Sequence, residues 1–437
     1  MNETTSIEKG LERVLLVRAF IGDEPDEDHS RGEMRALVES AGGTVAAEKS
    51  QRRASPDAKL FIGRGKASEL RETALREGIS TIVFDHSLSS GQVSRLEEAT
   101  DCKVIDRTEL ILAIFADRAR TREAKLQIEL AQLKYSLPRL SGMWHHFSRL
   151  GAGIGTRGPG ETQLEIDRRR ARARIALLEE RIGEVESRWR IVSEGRRGMF
   201  NITIVGYTNA GKSTLLNTLC GTGLFTADKP FATLDTTSRR LELPDGSSVL
   251  ISDTVGFIER LPETLVASFH TTLDVARTAD LLLVAVDRSS PCRGMHMNAV
   301  RRTLDRIGVD ESTPRLTVWT KCDLVKDPVD PRSGVSVSSL TGEGIEGLLA
   351  TVMRYRDSSL DWFELEMEYH DSSMINWLYT NCVVRNVTDS GEDSTTRIVA
   401  GALRGYESVE GRLEGSGLVR RIARLPGPWT DDIGGES

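Results

Sequence analysis

Phe200-Asn-Ile-Thr-Ile-Val205 runs directly into Gly206-Tyr207-Thr208-Asn209-Ala210-Gly211-Lys212-Ser213-Thr214, and a helical run then continues to Cys220. The β-branched and aromatic residues before the glycines predict a strand, and the leucine-spaced run after them predicts a helix. Between them stands G-x-x-x-x-G-K-S, a phosphate-binding loop in the strand–turn–helix setting that its chemistry needs. Glycines let the backbone turn tightly, so that several N–H groups and a helix N-terminus converge on a polyphosphate. Lys212 reaches the outer phosphates and is the candidate catalytic group, while the Ser213 hydroxyl is a candidate Mg²⁺ ligand.

The rest of the pattern lies downstream, in order. Ser248-Val-Leu-Ile-Ser252 reads as a strand ending in Asp253-Thr254-Val255-Gly256. This is D-x-x-G, in which the Asp holds Mg²⁺ through water and the Gly N–H meets a γ-phosphate. Phe231-Ala232-Thr233-Leu234-Asp235 lies where a first switch belongs, making Thr233 the second candidate Mg²⁺ ligand. Thr320-Lys321-Cys322-Asp323 follows the strand Arg315–Trp319, where a G-protein places N-K-x-D. There the Asp carboxylate accepts from the guanine N1–H and exocyclic amine, a pair adenine lacks, and the Lys stem covers the ring. Thr320 in place of Asn predicts the loss of an amide that braces the phosphate loop. Ser338-Ser339-Leu340 resembles the loop that touches the base through backbone atoms. The expected ligands are therefore GTP and GDP, with Mg²⁺.

Two departures bear on mechanism. Phe257 follows Gly256 where many GTPases carry the Gln that orients attacking water, which predicts slow intrinsic hydrolysis. Asn209 occupies a position where certain GTPases hold K⁺ near the phosphates. It also suits the backbone geometry of the loop, and both readings stay open.

At 437 residues the chain is long enough for two to four domains. Cys102, Cys220, Cys292, Cys322 and Cys382 are scattered without C-x-x-C spacing, so neither a disulfide framework nor a zinc site is indicated. The first residues are polar, and the longest apolar stretch, Leu281–Val286, has the length of a buried parallel strand. These features predict a cytoplasmic protein, read as a monomer, without signal peptide or membrane span.

Before residue 200 the pattern changes twice. From Arg13 to Phe115, short apolar strands (Val14–Val17, Thr81–Phe84, Lys103–Ile105) alternate with helical stretches, which predicts a small α/β domain with a parallel sheet. Leu60-Phe-Ile-Gly-Arg-Gly-Lys66 reads as a strand-to-helix turn, with a second phosphate site as the lesser alternative. From Thr121 the period becomes helical: Leu126, Leu130, Leu133 and Leu137 form one stripe, and Leu164, Ala171, Ile175, Leu178, Ile182, Val185 and Trp189 form another. Their spacings suit an antiparallel coiled-coil hairpin. Its connection, Ser141–Gly160, is too long and glycine-rich for a simple turn. Residues 116 to 174 carry 13 Lys plus Arg against 6 Asp plus Glu, whereas the whole chain is −7. Arg168, Arg169, Arg170, Arg172 and Arg174 crowd the second helix, with Arg149 and Arg157 in the loop. Such segregated cations beside glycines and aromatics suit a structured RNA.

Taken together, Phe61-Ile-Gly-Arg-Gly-Lys66, Val104-Ile-Asp-Arg-Thr108, Arg118-Ala-Arg-Thr-Arg-Glu123, Leu126-Gln-Ile-Glu-Leu-Ala-Gln-Leu133, Gly153-Ile-Gly-Thr-Arg-Gly-Pro-Gly-Glu-Thr-Gln-Leu-Glu165 and Gly206–Thr214 resemble the HflX family of GTPases over nearly the whole chain. The resemblance implies a GTPase that binds the large ribosomal subunit, inserts the hairpin loop toward the peptidyl-transferase region, and separates or rescues ribosomes or acts in their assembly. The expected architecture is multidomain α/β: an α/β domain at 1–115, a helical hairpin at 116–197, a Ras-like P-loop GTPase domain at 198–358, and a small α+β domain with a tail at 359–437. Two rivals are an RNA-modification accessory GTPase, for which no extra Cys, folate or flavin site is visible, and an ATP-driven RNA remodeller using the turn at Gly63–Lys66.

Overall fold

The computed structural model describes residues 12–22, 28–139, 159–194, 199–221, 231, 237–258, 270–325, 330–368, 372–390, 395–403, 409, 411, 413 and 419–425. The chain divides into two compact units. One comprises residues 1–187 with 226–235 and 255–272, and the other comprises 188–225, 236–254 and 273–437.

In the first unit, β1 (Glu12–Ile21), β2 (Gly43–Arg53), β3 (Thr81–Phe84) and β4 (Lys103–Asp106) form a parallel sheet in the order β2-β1-β3-β4. Helices α1 (Asp28–Ser40), α2 (Arg64–Glu77) and α3 (Ser90–Thr100) return the chain between them. Leu15, Val17, Leu70, Ile82, Phe84 and Leu96 form the core, as expected where helices cover a parallel sheet. β2 is a fourth strand that the apolar runs did not predict. Its edge position leaves most of it half-buried, so its sequence Gly-Thr-Val-Ala-Ala-Glu-Lys-Ser-Gln-Arg-Arg is polar.

Helix α4 (Arg107–Arg118) starts on an Asp106 side chain that accepts from the Glu109 N–H at 2.9 Å. Arg107, at its first turn, is buried and bonded to Asp85 at 2.7 Å and to Glu33. Next come α5 (Arg122–Ser136) and the long α6 (Pro159–Glu194). Leu126 and Leu130 of α5 pack on Leu178 and Ile182 of α6, flanked by Leu133 and Ile175. At the same contact Arg174 makes a two-pronged bond to Glu129, at 2.7 and 2.9 Å.

In the second unit the central sheet has the order β10-β9-β8-β5-β7-β6. Its strands are β5 (Asn201–Gly206), β6 (Thr237–Glu242), β7 (Ser248–Asp253), β8 (Leu281–Asp287), β9 (Arg315–Thr320) and β10 (Val335–Ser336). All neighbours run parallel except β6, which pairs antiparallel with β7. Helices α7 (Lys212–Cys220), α8 (His270–Arg277), α9 (Arg293–Ile307) and α10 (Ile345–Ser358) accompany these strands. Ile202, Ile204, Leu215, Ile251, Leu283 and Val318 belong to its core. A separate antiparallel sheet, β12-β13-β11-β14, follows. It consists of β11 (Leu360–Glu368), β12 (Val383–Ser390), β13 (Thr395–Leu403) and β14 (Val419–Arg424), with α11 (Ser372–Asn381) packed through Met374 and Leu378. Arg356, fully buried at the end of α10, bonds Asp357 at 2.6 Å, Asp245 at 2.7 Å and Ser247. Asp357 also receives Arg385 of β12, at 2.6 Å.

Candidate functional site

Register aligns Ile204 with Asp253, Gly206 with Ala285, and Asp287 with Thr320, so β5, β7, β8 and β9 end at one edge of the sheet. In open α/β sheets that carboxyl edge is where ligands bind. The first loop there begins at Gly206, where an added Cβ would meet the Ala285 carbonyl oxygen at 2.4 Å, so only glycine lets β5 lie this close to β8. Asn209 and Gly211 take left-handed backbone angles, φ 62° and 81°. Asn is among the few side-chain-bearing residues that tolerate this, which accounts for its backbone role. Tyr207, Thr208 and Ala210 are buried, whereas Asn209 and Thr214 are exposed.

Lys212 is buried, with its ammonium donating to the Tyr207 carbonyl at 2.9 Å. Burial pushes its pKa down to about 8, partly opposed by Asp253. The Ser213 hydroxyl donates to Asp253 Oδ2 at 2.5 Å. Burial pushes the Asp253 carboxyl up, against the pull of Lys212 and Ser213. Its Oδ1 is buried without a hydrogen-bond partner. Buried polar atoms are seldom left so, and this one lies on the carboxylate that D-x-x-G assigns to a metal-bound water. Ser213 and Asp253 are hard oxygen donors and fit Mg²⁺, which takes one or two protein oxygens and completes its shell with phosphate and water. Among the described residues no three His, Cys, Asp or Glu side chains cluster to hold a metal by themselves. Thr254, fully buried, donates to the Ile204 carbonyl at 2.9 Å and ties the start of the D-x-x-G segment to β5.

Thr320 reverses one expectation. Its hydroxyl lies 2.8 Å from the Ala210 carbonyl and 3.0 Å from that of Val286, so the brace on the phosphate loop survives the replacement of Asn. Lys321 has a left-handed backbone, φ 56°, and pairs with Asp287 at 2.7 Å. Asp323 is exposed in the short turn Cys322–Leu324, which is anchored by the Cys322 N–H on the Val337 carbonyl at 3.2 Å. Ser338 is buried and donates its N–H to the Glu343 carbonyl at 2.9 Å, while Thr218 of α7 donates to the Ser339 carbonyl at 3.0 Å. Leu340 is exposed.

The remaining sequence-selected residues fall elsewhere. Val255, Gly256 and Phe257 are buried. Phe231 is buried too, edge-on to Phe115 of α4 with ring centroids 4.6 Å apart, and takes φ 57°. Ala232, Thr233, Leu234 and Asp235 lie outside the described residues, as do Arg149 and Arg157. On α6, Arg169, Arg170 and Arg172 are exposed and Arg168 is half-buried, while Arg174 is committed to Glu129. Sequence reasoning missed Asp287 and His296. The former is a charge ending an apolar buried strand at the ligand-binding edge, which is a usable signal. The latter stacks on Tyr207 at 4.0 Å from α9, a pairing across 89 positions that no local pattern announces.

Four family models match the chain in succession. They are described as GTP-binding GTPase N-terminal (residues 28–116), GTP-binding GTPase Middle Region (118–196), 50S ribosome-binding GTPase (201–321) and HflX C-terminal domain (323–416). A GTPase HflX from Caldanaerobacter subterraneus is 40% identical over 84% of this chain and 86% of its own. The GTPase HflX of Escherichia coli is 42% identical over 77% of this chain and 81% of its own. A GTP-binding protein from Sulfolobus solfataricus, solved with GDP, shares 23% identity at a TM-score of 0.43, covering 80% of this chain and 99% of that one. With a P-loop sheet in place and relatives this similar along most of its length, the chain belongs to the HflX family of GTPases and is a GTP-hydrolysing enzyme.

Proposed function

We propose that the chain binds GTP and GDP at the edge formed by β5, β7, β8 and β9, with Mg²⁺, and uses hydrolysis to govern its hold on the large ribosomal subunit. The observation that carries the chemical half is the buried Asp253 Oδ1 without a partner, beside Ser213 and the buried Lys212. Ser213 and, through water, Asp253 would hold Mg²⁺, with Thr233 as the second protein ligand. Bound there, the ion would supply positive charge that neutralises the polyphosphate. Lys212 binds the outer phosphates and stabilises charge that develops on the transferred group. Phe257 offers no polar group to attacking water, so the isolated protein turns over slowly and large subunits accelerate it. Asp323 reads the guanine edge, Lys321 covers the ring, and Ser338–Leu340 meets the base through its backbone.

Supporting the ribosome half is the concentration of exposed arginine on α6 within a segment whose net charge opposes that of the whole chain. Phosphates are held by such cations at any sequence, and glycines in the connection permit close approach of RNA to the backbone. This reading divides the chain at residues 115, 197 and 358 and assigns RNA to the hairpin and nucleotide to the P-loop domain. The same reading assigns the protein to the cytoplasm as a monomer; among the described residues no helix is long and apolar enough to cross a membrane.

Cosedimentation with purified subunits, with and without a non-hydrolysable GTP analogue, tests the partner. Retention by the large subunit, tighter with the analogue than without it, is expected, and absence of cosedimentation in both states would end the ribosome reading. For the base, Asp323→Asn should lose GTP and gain xanthine nucleotide, because the new amide donates to the xanthine carbonyl. A variant that kept its GTP affinity would show that this loop does not read the base. Exchange of Na⁺ for K⁺ tests Asn209 alone: faster hydrolysis in K⁺ is expected if it holds the ion, and equal rates leave it a backbone role.

A further inference from the structure

We propose that Asp287 is a positioning residue for base recognition, holding Lys321 extended so that its aliphatic stem forms one wall of the guanine slot. The inference rests on the guanine reading of Thr320–Asp323 and goes beyond it, because none of the nucleotide-site motifs includes Asp287.

A lysine that must lie along a purine face has a problem of its own. Its stem is flexible, and its ammonium is drawn toward water. An anion fixed beyond the far edge of the ring solves this by pinning the head while the methylenes stay flat. Asp287 is built as such an anion. It ends β8 in register with Thr320, the residue just before Lys321. One carboxylate oxygen, Oδ2, takes the Lys321 ammonium at 2.7 Å. The other, Oδ1, accepts from the Ser289 N–H at 2.9 Å and the Ser289 hydroxyl at 2.6 Å, so the carboxylate cannot turn. Burial alone would push the Asp287 carboxyl up, but Lys321 and Ser289 outweigh it and hold the group below the usual carboxylate range.

The backbone points the same way. Lys321 sits at φ 56°, a left-handed conformation that is unfavourable for a lysine. Strain of that kind persists where surrounding contacts over-determine it, and it gathers at ligand clamps. Here the Asp287 ion pair on one side and the Cys322–Val337 backbone bond on the other supply those contacts.

The test is a double-mutant cycle on the full chain, with Kd for GTP, GDP and ATP and kcat at saturating GTP. Asp287→Asn keeps an acceptor for Ser289 and removes the charge opposite Lys321. It is expected to raise Kd for GTP and GDP alike by about ten-fold, with kcat and thermal midpoint unchanged. Because Asp287 works through Lys321, adding Asp287→Asn to Lys321→Met should cost nothing more. An unchanged Kd, or losses that add in the double variant, would overturn the proposal while leaving a GTP-selective wild type and its guanine site intact. A wild type that binds ATP as tightly as GTP overturns the guanine reading and this proposal with it. If Asp287→Asn does not fold, Ser289→Ala carries the test by loosening the carboxylate: a two- to three-fold rise in Kd, about 0.5 kcal/mol, supports the role, and no change overturns it.

Discussion

Lys212 keeps 6% of its surface in solvent, whereas the side chain of Arg170 keeps 76%. Both are cations assigned to phosphate, one in a loop between β5 and α7, the other on the face of α6. The loop works by desolvation. Its groups sit in a fixed backbone, their charges are strengthened by low dielectric, and each removal leaves a buried partner exposed to loss. On the RNA reading proposed above, the helix face works by accumulation: each exposed arginine is screened by salt and none is expected to be indispensable. The difference teaches how to separate the two activities, because they should answer to opposite perturbations.

The largest effect is expected at Lys212. Lys212→Ala removes charge-assisted bonds to phosphate and should weaken GTP binding by about 10³-fold, near 4 kcal/mol, while cosedimentation of nucleotide-free protein with large subunits persists. A fluorescent GTP analogue measures the first, and unchanged affinity would move the phosphates out of this loop. The same burial sets a pH dependence. With a pKa of about 8 before nucleotide binds, Lys212 is charged below that value and neutral above it. GTP affinity should therefore be flat on the acid side and fall as pH rises above about 8, with proton uptake on binding visible by calorimetry in buffers of different ionisation enthalpy. The linked stability has the opposite slope. The unfolded chain binds this proton up to pH about 10.5, so between 8 and that value the nucleotide-free fold gains stability with pH from this group. Salt should barely touch the phosphate loop's preference for protonated Lys212, in contrast with the α6 face.

Arg356 extends the comparison to a buried charge with no ligand. Its guanidinium is held by Asp357, Asp245 and Ser247, which ties the turn between β6 and β7 to the end of α10. Arg356→Ala leaves Asp245 without its guanidinium and Asp357 with Arg385 alone, and should destabilise the second unit by about 3 kcal/mol, read from urea unfolding. Unfolding at the wild-type midpoint would mean that Arg385 suffices for Asp357 and that the Arg356–Asp245 pair adds no stability.

What could be read from sequence follows the same divide. The phosphate loop was legible because its chemistry is written in residue types at fixed offsets, Gly206, Gly211, Lys212 and Ser213, inside a strand-to-helix transition. The stripes Leu126–Leu133 and Ile175–Ile182 were legible from periodicity alone. Thr320 was not: sequence shows an amide removed, and only the placement of its hydroxyl 2.8 Å from the Ala210 carbonyl shows the brace retained. β2 escaped because an edge strand needs few apolar residues, and Arg356 because a buried arginine reads like any helix-end cation. Nor could the crowd of arginines on α6 be sorted, since which of them faces Glu129 depends on helix rotation rather than on composition.

On the helix face, replacing Arg169, Arg170 and Arg172 together by Gln should weaken subunit binding and flatten its log–log salt dependence by roughly 0.7 to 0.9 per lost contact. GTP affinity should not change. An unchanged salt slope would make the exposed run a solvated helix face, leaving the ribosome partner to rest on family membership.

The smallest effect is expected two residues further on. Arg172 is exposed, whereas both prongs of Arg174 are occupied by Glu129, which in turn lowers the carboxyl of Glu129 through that bond. A guanidinium already neutralised releases no counterion from RNA, so Arg174→Gln should leave the salt slope of subunit binding where it was, and Arg172→Gln alone should lower it by roughly 0.7 to 0.9. The loss at Arg174 should appear instead as a looser contact between α5 and α6, modest because half-exposed ion pairs contribute little, and read as faster amide exchange around Leu130 and Leu178. If Arg174→Gln flattened the salt slope as much as Arg172→Gln, then Glu129 must release its partner when RNA arrives, and the α5–α6 contact would be part of the binding surface rather than its support.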